Sequence, residues 1–344
     1  MVCRPLPQAD MEHILAHTGP VWSELGNSRL FITGGTGFFG RWLLESIAHA
    51  NDALGCHIRA TVLSRDPKRF LAEMPHLLLR KEFDWLEGSP TCFQFPQEAH
   101  DHVLHMATST SAHLDRTDPR EMLQTKLDSV RRVLDFAQHT GARRLLLTSS
   151  GAVYGPQPAD LELIPETYTG APDPCHPRSA YGEGKRMMEL MCNLAPGIEC
   201  VTARCFSFIG PHLPLDARFA AGNFLRDSLA GKPINITGDG RVIRSYLYAA
   251  DLVIWLMTIL AQGKPGRAYN VGSDHILNIH QLANTINQHA NASGDVRIRG
   301  DTCQPTAQRY VPSITRCREE LGLDVLMDLD KSIQQTIRWL KESG

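Results

Sequence analysis

The chain has 344 residues, of which 42% are hydrophobic, and a formal net charge of −2. The 35 Lys and Arg residues are balanced by 37 Asp and Glu residues, which argues against a surface that binds nucleic acid. The nine cysteines are odd in number and include no C-x-x-C pair. The sequence therefore predicts neither a disulfide framework nor a metal site.

The apolar stretches of the chain are too short for a membrane protein. Residues 1–25 carry charges and prolines where a secretory signal needs an apolar run. The most apolar stretch, LVIWLMTILA at 252–261, is far shorter than the roughly 20 residues that span a bilayer. We therefore expect a cytoplasmic protein without membrane contacts, in which 252–261 forms a buried helix.

Short apolar stretches alternate with helical ones after an N-terminal extension, residues 1–28, in which a helix is predicted at 8–17. The predicted strands are RLFIT (29–33), IRATVLS (58–64), TCFQF (91–95), DHVLHMA (101–107), RRLLLTSS (143–150) and IECVTARCF (198–206). The predicted helices lie near 38–50, 67–73, 118–139 and 178–194. This alternation predicts an α/β fold with a doubly wound parallel sheet.

The chain is long enough for two lobes, because single cores stop growing at roughly 250–300 residues. We assign residues 29–206 to a dinucleotide-binding domain, because the predicted strands and helices alternate there and a glycine-rich turn follows the first strand. Residues 207–344 are richer in turn signals and few helices are evident there. We expect 207–344 to form mainly a smaller, partly discontinuous lobe that binds the substrate, with some segments returning to the first domain.

A glycine-rich turn joins the first predicted strand to the helix that follows it. In RLFITGGTGFFGRWLLESI, the glycines permit a tight turn and let backbone amides approach a pyrophosphate at the helix N-terminus. The flanking strand and amphipathic helix favour this interpretation over a turn that is merely tight. The motif predicts a Rossmann fold with Gly34, Thr36, Gly37, Phe38, Phe39 and Gly40 as cofactor ligands.

The end of the second predicted strand distinguishes NAD from NADP. An acidic residue there binds the ribose 2′-hydroxyl of NAD, whereas an arginine accepts the 2′-phosphate of NADP. Ser64 stands where Asp is usual and Arg65 follows it, while Asp66 before Pro67 fits a helix N-cap. The sequence therefore favours NADP(H), with NAD(H) as the alternative and with Ser64 and Arg65 as cofactor ligands.

SAYGEGKRMMEL at 179–190 places Tyr181 and Lys185 on one face of a predicted helix. A phenol has a pKa of about 10, so it acts as a base at neutral pH only where a cation favours the phenolate. Lys185 is placed to be that cation. Ser150, in the strand end TSSGAVYG at 148–155, is predicted to hydrogen-bond the same substrate oxygen.

These three motifs, TGGTGFFG, TSSGAVYG and YGEGK, occur in an order that resembles the extended short-chain dehydrogenase/reductase family, the nucleotide-sugar epimerases and dehydratases. The resemblance covers about residues 29–322 and includes GDGRVIRSYLYAADL (238–252), AYNVGS (268–273) and REELGL (318–323). It implies that Ser150, Tyr181 and Lys185 are catalytic. It also implies that Tyr181, Lys185, His105 and Ala107 contact the cofactor. It implies a nucleotide-diphosphate sugar substrate bound by Ser207, Asn223, Phe224 and Arg244, and a homodimer that pairs through the helices at 118–139 and 178–194.

Members of this family share hydride removal from a sugar carbon, usually C4, through a 4-keto intermediate, and differ in the second step. The 4,6-dehydratases place Asp-Glu directly after the catalytic hydroxyl residue, and decarboxylases of UDP-glucuronate usually carry a glutamate in that stretch. This chain has Gly151 and Ala152 there. The resemblance therefore favours an epimerase. The alternatives are an NADPH-dependent 4-ketoreductase, a 4,6-dehydratase or decarboxylase, and, from another class, a non-enzymatic NADP-binding regulator.

Three positions depart from the family pattern. Ser207 stands where Asn is usual, and TKLDSV, which contains Lys126, stands where Asn-Val-x-Gly-Thr is expected. The arginine of a late R-P-G-D segment is missing, and Arg309 is the nearest substitute.

The regulator alternative is disfavoured, because such proteins tend to lose the active tyrosine or lysine and this chain keeps both.

Overall fold

A computed structural model describes residues 3–107, 118–215, 219–292, 294–300 and 307–343. The strands are β1 (Arg29–Thr33), β2 (Arg59–Ser64), β3 (Phe83–Glu87), β4 (His102–His105), β5 (Arg144–Ser150), β6 (Glu199–Cys205), β7 (Phe208–Ile209), β8 (Ile234–Ile236), β9 (Ile243–Arg244), β10 (Leu247–Tyr248), β11 (Ala268–Val271), β12 (Leu277–Asn278), β13 (Val296–Ile298) and β14 (Arg309–Tyr310). The helices are α1 (Gln8–Glu24), α2 (Phe38–Leu54), α3 (Pro67–Glu73), α4 (Pro119–Thr140), α5 (Ala180–Asn193), α6 (Ala220–Leu229), α7 (Ala249–Gln262), α8 (Ile279–Ala290), α9 (Thr315–Leu321) and α10 (Leu329–Ser343).

The centre of the fold is a seven-stranded sheet in the order β11-β6-β5-β4-β1-β2-β3. All its neighbouring strands are parallel. The chain order reverses between β1 and β4, which is the switch point where such sheets bind ligands. The predicted doubly wound α/β fold is confirmed. β11 joins this sheet beside β6, although it lies after residue 207.

One predicted strand is wrong. TCFQF at 91–95 contains no strand, and the third strand is instead FDWLE at Phe83–Glu87. The alternating Phe93 and Phe95 mimic a strand pattern, but their rings pack on Phe136 of α4, with centroids 5.6 and 5.2 Å away. β3 lies at the sheet edge, where polar residues such as Asp84 are tolerated.

The N-terminal extension is part of the core. α1 is longer than predicted, continues to Glu24 through a kink at Thr18, and packs against α2 and α7. The Tyr248 hydroxyl donates to Asp10 Oδ2 (2.8 Å), and His13 Nε2 lies 3.0 Å from Asp251 Oδ1. These contacts anchor α1 to the N-terminal end of α7.

The helix predicted at 252–261 is confirmed, because α7 includes this stretch and nearly all of it is buried. None of the helices in the described part of the chain has both the length and the apolar content to cross a bilayer. Within the same described ranges, no cluster of three or more His, Cys, Asp or Glu side chains is arranged to hold a metal.

Candidate active site

The glycine turn after β1 lies against the segment after β4, at the switch point of the sheet. Gly34 has a φ of +77°, and a Cβ there would lie 2.6 Å from the backbone nitrogen of Ala107. That nitrogen donates to Thr33 Oγ1 (3.1 Å), which also lies 2.7 Å from His105 Nδ1. The turn therefore requires glycine, and it is fixed to β4 through Thr33, His105 and Ala107.

The N-terminus of α2 has room and free amides for an anion. Gly37 is its N-cap, with no side-chain capping bond, so the first amides of α2 are left for a ligand. A Cβ on Gly40 would collide with the backbone of Gly35, so glycine permits the close approach of helix and turn. These residues fit a dinucleotide pyrophosphate.

The other predicted ligands in this turn hold the helix in place. The Thr36 carbonyl accepts from Arg41 Nε (3.3 Å). Phe38 begins α2 and contacts the core, and the Phe39 ring packs edge-on against Phe208 at 5.0 Å. The two phenylalanines thus secure α2 to the rest of the molecule.

At the end of β2, Asp66 acts as a helix cap, as predicted. Its side chain accepts from the backbone nitrogen of Arg69 (2.9 Å), with Pro67 as the first residue of α3. Buried Ser64 accepts from the Asp66 nitrogen (3.2 Å), while Arg65 is exposed. With its carboxylate occupied by the cap, Asp66 is a poor ribose ligand, and the Arg65 guanidinium remains exposed at the strand end.

The two serines at the end of β5 point to opposite faces of the sheet, because side chains alternate along a strand. Ser150 Oγ lies 3.3 Å from the hydroxyl of Tyr310, which comes from β14, and accepts from the Ala152 nitrogen (3.2 Å). Ser149 Oγ is buried without a hydrogen-bond partner in the described ranges. Ser150, not Ser149, therefore faces the candidate site.

Tyr310 is a phenol that stays protonated. Burial raises the pKa of Tyr310 well above its usual range, although its contact with Ser150 opposes the rise. Its hydroxyl also lies 3.4 Å from the carbonyl oxygen of Cys205. The Tyr310 hydroxyl is thus a proton donor beside the predicted catalytic serine.

Gly151 leaves the space that Tyr310 and Phe206 fill. A Cβ at position 151 would lie 2.6 Å from the Phe206 ring and 2.8 Å from the Tyr310 hydroxyl. Real Cβ atoms do not make contacts this short, and both neighbours are rings packed on each other, with centroids 4.6 Å apart. Position 151 therefore has no room for a carboxylate side chain.

Tyr181 and Lys185 lie on the first turns of α5, and a second lysine joins them from α4. The Lys185 ammonium donates to the Thr148 carbonyl (2.7 Å) and is buried. Lys126 Nζ lies 4.7 Å from the centroid of the Tyr181 ring. Burial first, and then the charge of Lys126, lower the pKa of Lys185 to about 7. The Tyr181 ring thus has the Lys126 amine over it, and Lys185 follows four residues later on the same helix.

His105 contributes hydrogen bonds and no charge to this site. Burial lowers the pKa of His105 to about 3, and nearby Lys185 acts in the same direction. Its Nε2 lies 3.5 Å from Ser129 Oγ on α4. A neutral His105 therefore links β1, β4 and α4 behind the glycine turn.

The residues predicted to bind the substrate are spread over several elements. The Ser207 carbonyl pairs with the Leu247 nitrogen (3.0 Å), and Asn223 Oδ1 accepts from Arg226 (3.2 Å). The Phe224 side chain is buried in the main core, within α6. The guanidinium carbon of Arg244 lies 5.5 Å from the centroid of the Tyr310 ring, so Arg244 lies beside the pair formed by Ser150 and Tyr310.

Arg309, the predicted substitute for the missing arginine, is paired through its backbone to Ile243 in the β9–β14 ladder. Its Nη1 is buried and has no hydrogen-bond partner in the ranges that the structure describes. A buried guanidinium nitrogen without a partner is costly. Arg309 is thus available to an anion.

Comparison with known proteins identifies the family. The model described as "NAD dependent epimerase/dehydratase family" matches residues 30–272. The chain belongs to this family. The predicted resemblance is therefore confirmed, and with it the assignment to an enzyme family that uses a nicotinamide dinucleotide.

Several known proteins are similar to this family member. UDP-glucuronic acid decarboxylase 1 from Xenopus tropicalis is 27% identical over 93% of this chain and 74% of its own length. An epimerase from Methanothermobacter thermautotrophicus shares its fold, with a TM-score of 0.80, 22% identity, and coverage of 95% of this chain and 96% of the other. UDP-N-acetylglucosamine 4-epimerase from Methanobrevibacter ruminantium has a TM-score of 0.79, 18% identity, and coverage of 93% and 100%.

Two residues of the candidate site were missed from the sequence. Tyr310 lies 160 positions from Ser150 and in a two-residue strand, so no periodic pattern marks it. The sequence marks Lys126 only as a departure from the family pattern. The available signal is spacing, because Lys126 lies four residues after Met122 and four before Val130, on the apolar face of the predicted helix.

Proposed function

We propose that this protein modifies a nucleotide-diphosphate sugar by oxidising one sugar carbon, C4 by analogy with the family, to a 4-keto intermediate. The epimerase is the favoured form of this activity. The observation that carries the proposal is that the Lys185 ammonium donates to the carbonyl of Thr148 at the strand end that holds Ser150, in a fold whose glycine turn fits a dinucleotide. The names of similar proteins, which are UDP-sugar decarboxylases and epimerases, support the substrate class.

In this proposal each side chain has one role. The ionised Tyr181 phenol accepts the proton of a sugar hydroxyl, and the two nearby lysines favour that ionised form. A nicotinamide held by the glycine turn would supply the hydride acceptor and donor. Ser150 and Tyr310 donate hydrogen bonds to the substrate oxygen, as their 3.3 Å contact allows. Arg244, with Arg309 nearby, binds the diphosphate.

The space around Gly151 supports an epimerase over an elimination enzyme. Elimination of water needs an added acid and base next to the catalytic hydroxyl. Position 151 is filled by Phe206 and Tyr310, and Ala152 carries no titratable group. An epimerase needs no added acid or base, because the keto sugar only has to rotate in the site before hydride returns to its other face.

A decarboxylase is the second candidate, because UDP-glucuronic acid decarboxylases are among the relatives similar to this chain over most of its length. Protonated Tyr310 is a possible proton donor for the carbanion that loss of carbon dioxide leaves. Against this candidate, the stretch after Ser150 lacks the glutamate that decarboxylases usually carry. The two activities differ in the mass of their products.

Mass spectrometry of the nucleotide sugars after incubation tests the proposal. Purified protein is incubated with the dinucleotide and, separately, with UDP-glucose, UDP-N-acetylglucosamine, UDP-glucuronate and their dTDP, GDP and CDP counterparts. We expect a product of unchanged mass that separates chromatographically from the substrate. A product lighter by carbon dioxide would establish the decarboxylase, and one lighter by water would establish the dehydratase. No conversion of any sugar would contradict the proposal.

We propose NADP(H) as the preferred dinucleotide, with NAD(H) as the alternative named in the description of the family. Arg65→Ala is expected to weaken NADP(H) binding far more than NAD(H) binding, because the 2′-phosphate loses one or two charge-assisted hydrogen bonds of about 1.5–3 kcal/mol each. Titration calorimetry with both dinucleotides measures the change. Arg59→Ala, which removes an exposed arginine at the opposite end of β2, is the matched control. Unchanged selectivity in Arg65→Ala would contradict the preference.

We also propose a homodimer formed through α4 and α5. Three exposed apolar side chains, Met187, Leu190 and Leu194, lie on or just after α5 at helical spacing. Sedimentation equilibrium is expected to give twice the mass of one chain, and Leu190→Glu is expected to lower it to one. Leu79→Glu changes an exposed leucine far from α5 and should leave the mass unchanged. A monomeric wild type would contradict the dimer.

A further inference from the structure

A second buried amine lies at the proposed catalytic phenol. Lys126 is buried on α4, and its ammonium nitrogen lies 4.7 Å from the centroid of the Tyr181 ring on α5. α4 and α5 pack closely along their lengths. The contact is made across the face of the ring, where a cation is attracted even to a neutral phenol.

The helix on which Tyr181 lies is shaped to accept this lysine. Gly184 is one helical turn after Tyr181, and a Cβ there would lie 2.7 Å from Lys126 Cδ and 3.3 Å from Leu123 Cδ1. A side chain at position 184 would therefore push the Lys126 chain away. The absence of a side chain at 184 lets the lysine cross from α4 to the Tyr181 ring.

Lys185 by itself is a weak source of charge. The Lys185 ammonium is buried and donates to the Thr148 carbonyl, and burial followed by the charge of Lys126 lowers its pKa to about 7. Near neutral pH part of the Lys185 population is therefore uncharged. Two amines that share the same phenol can keep at least one positive charge beside it over a wider pH range.

Other charged side chains lie around Tyr181, and the two carboxylates on its own helix are paired with arginines. Other charged or titratable side chains on α5 and on the elements around it include Asp128 of α4, Glu183, Arg186, Glu189 and Cys192 of α5, Tyr154 and Arg178 of the adjoining turns, Arg204 and Cys205 of β6, His105 of β4, Arg244 of β9 and Tyr310 of β14. The two α5 carboxylates lie against arginines, Glu189 at 2.7 Å from Arg204 and Glu183 at 3.5 Å from Arg186. Tyr310 stays neutral because burial raises its pKa.

We propose that Lys126 is a positioning residue for the Tyr181 phenol: its ammonium group, held over the ring, favours the phenolate and so lowers the pH at which Tyr181 accepts a proton. This inference rests on the proposed role of Tyr181. An opposite charge within about 4–6 Å shifts a pKa by about 1–3 units. The phenolate in turn favours the charged form of Lys126, because such coupling is reciprocal.

The test is an ultraviolet titration of the full chain as purified, which records phenolate absorbance against pH. Subtracting the titration of Tyr181→Phe from that of the wild type isolates Tyr181 from the other tyrosines. We expect the midpoint of Tyr181 to rise by about 1–3 pH units in Lys126→Met and to stay near the wild-type value in Lys126→Arg, which keeps the charge. Each lysine variant is paired with its own Tyr181→Phe double variant.

The pH profile of turnover gives a second readout. The acid limb of kcat is expected to move to higher pH in Lys126→Met by the same amount as the spectroscopic midpoint, and Lys126→Arg should restore it. A midpoint that does not move in Lys126→Met, with or without a loss of stability, would overturn the inference. Tyr181→Phe is measured separately, and retained turnover in that variant would refute the proposed function. An unmoved Tyr181 midpoint in Lys126→Met, with turnover lost in Tyr181→Phe, would refute only the role of Lys126.

Discussion

Replacing Tyr181 with phenylalanine is expected to lower turnover by about 10²–10⁴-fold, the usual contribution of a general acid–base group. The change removes one hydroxyl oxygen and leaves the ring that packs under Lys126. Dinucleotide binding should therefore remain close to that of the wild type. Steady-state kinetics on the substrate found by mass spectrometry and calorimetry with the dinucleotide measure the two effects separately.

Tyr168→Phe is the matched control for this experiment. Tyr168 also loses only a hydroxyl, and its ring packs on Tyr154 at 6.2 Å, in a separate apolar cluster. Its turnover should stay within a few-fold of the wild type. If the Tyr181→Phe variant has the same turnover rate as the Tyr168→Phe variant, the Tyr181 hydroxyl is not the catalytic base.

Gly34→Ala is expected to weaken both folding and dinucleotide binding. The residue has a φ of +77°, and its Cβ would lie 2.6 Å from the Ala107 nitrogen and 2.7 Å from the Met106 carbonyl carbon. The left-handed backbone alone costs about 1–2 kcal/mol, and forcing an atom into packed backbone costs about 1–3 kcal/mol more. Urea unfolding measures the first effect, and calorimetry with the dinucleotide measures the second.

Gly55→Ala separates the cost of a left-handed backbone from the cost of the close contact with β4. Gly55 also has a positive φ, +63°, but a Cβ there meets nothing within 4 Å. The free energy of unfolding of Gly55→Ala should fall by only about 1–2 kcal/mol, the cost of the left-handed backbone. Its dinucleotide affinity should stay unchanged. Equal losses of stability and affinity in the two variants would mean that the contact of the glycine turn with β4 is unimportant.

Local patterns in the sequence were sufficient for the cofactor half of the molecule. The glycine turn with its flanking strand and helix predicted the junction of β1 and α2, and Asp66 before Pro67 predicted the cap of α3, which the structure confirms. Both signals act within a few residues, because a helix N-terminus leaves amides that only nearby groups or a ligand can satisfy. The periodicity of the remaining strands similarly predicted the parallel sheet.

The third strand shows where local pattern fails. TCFQF and FDWLE are both short and partly apolar, and period-2 alternation cannot tell a strand from an extended loop that packs its rings on a helix. The choice depended on which segment could pair with β2, and Phe83 pairs with Ala60. Only the arrangement of the neighbouring elements decides that pairing.

The sequence by itself determined the family, the doubly wound sheet and the candidate residues Ser150, Tyr181 and Lys185, because each depends on spacings of a few residues. The tertiary structure alone brought Tyr310 to within 3.3 Å of Ser150 and Lys126 to within 4.7 Å of the Tyr181 ring centroid. Those contacts join elements far apart in the chain, so they follow from how β14 and α4 pack and not from any local propensity. The packing likewise explains why a glycine follows Ser150, since its missing side chain is the space that a distant phenol occupies.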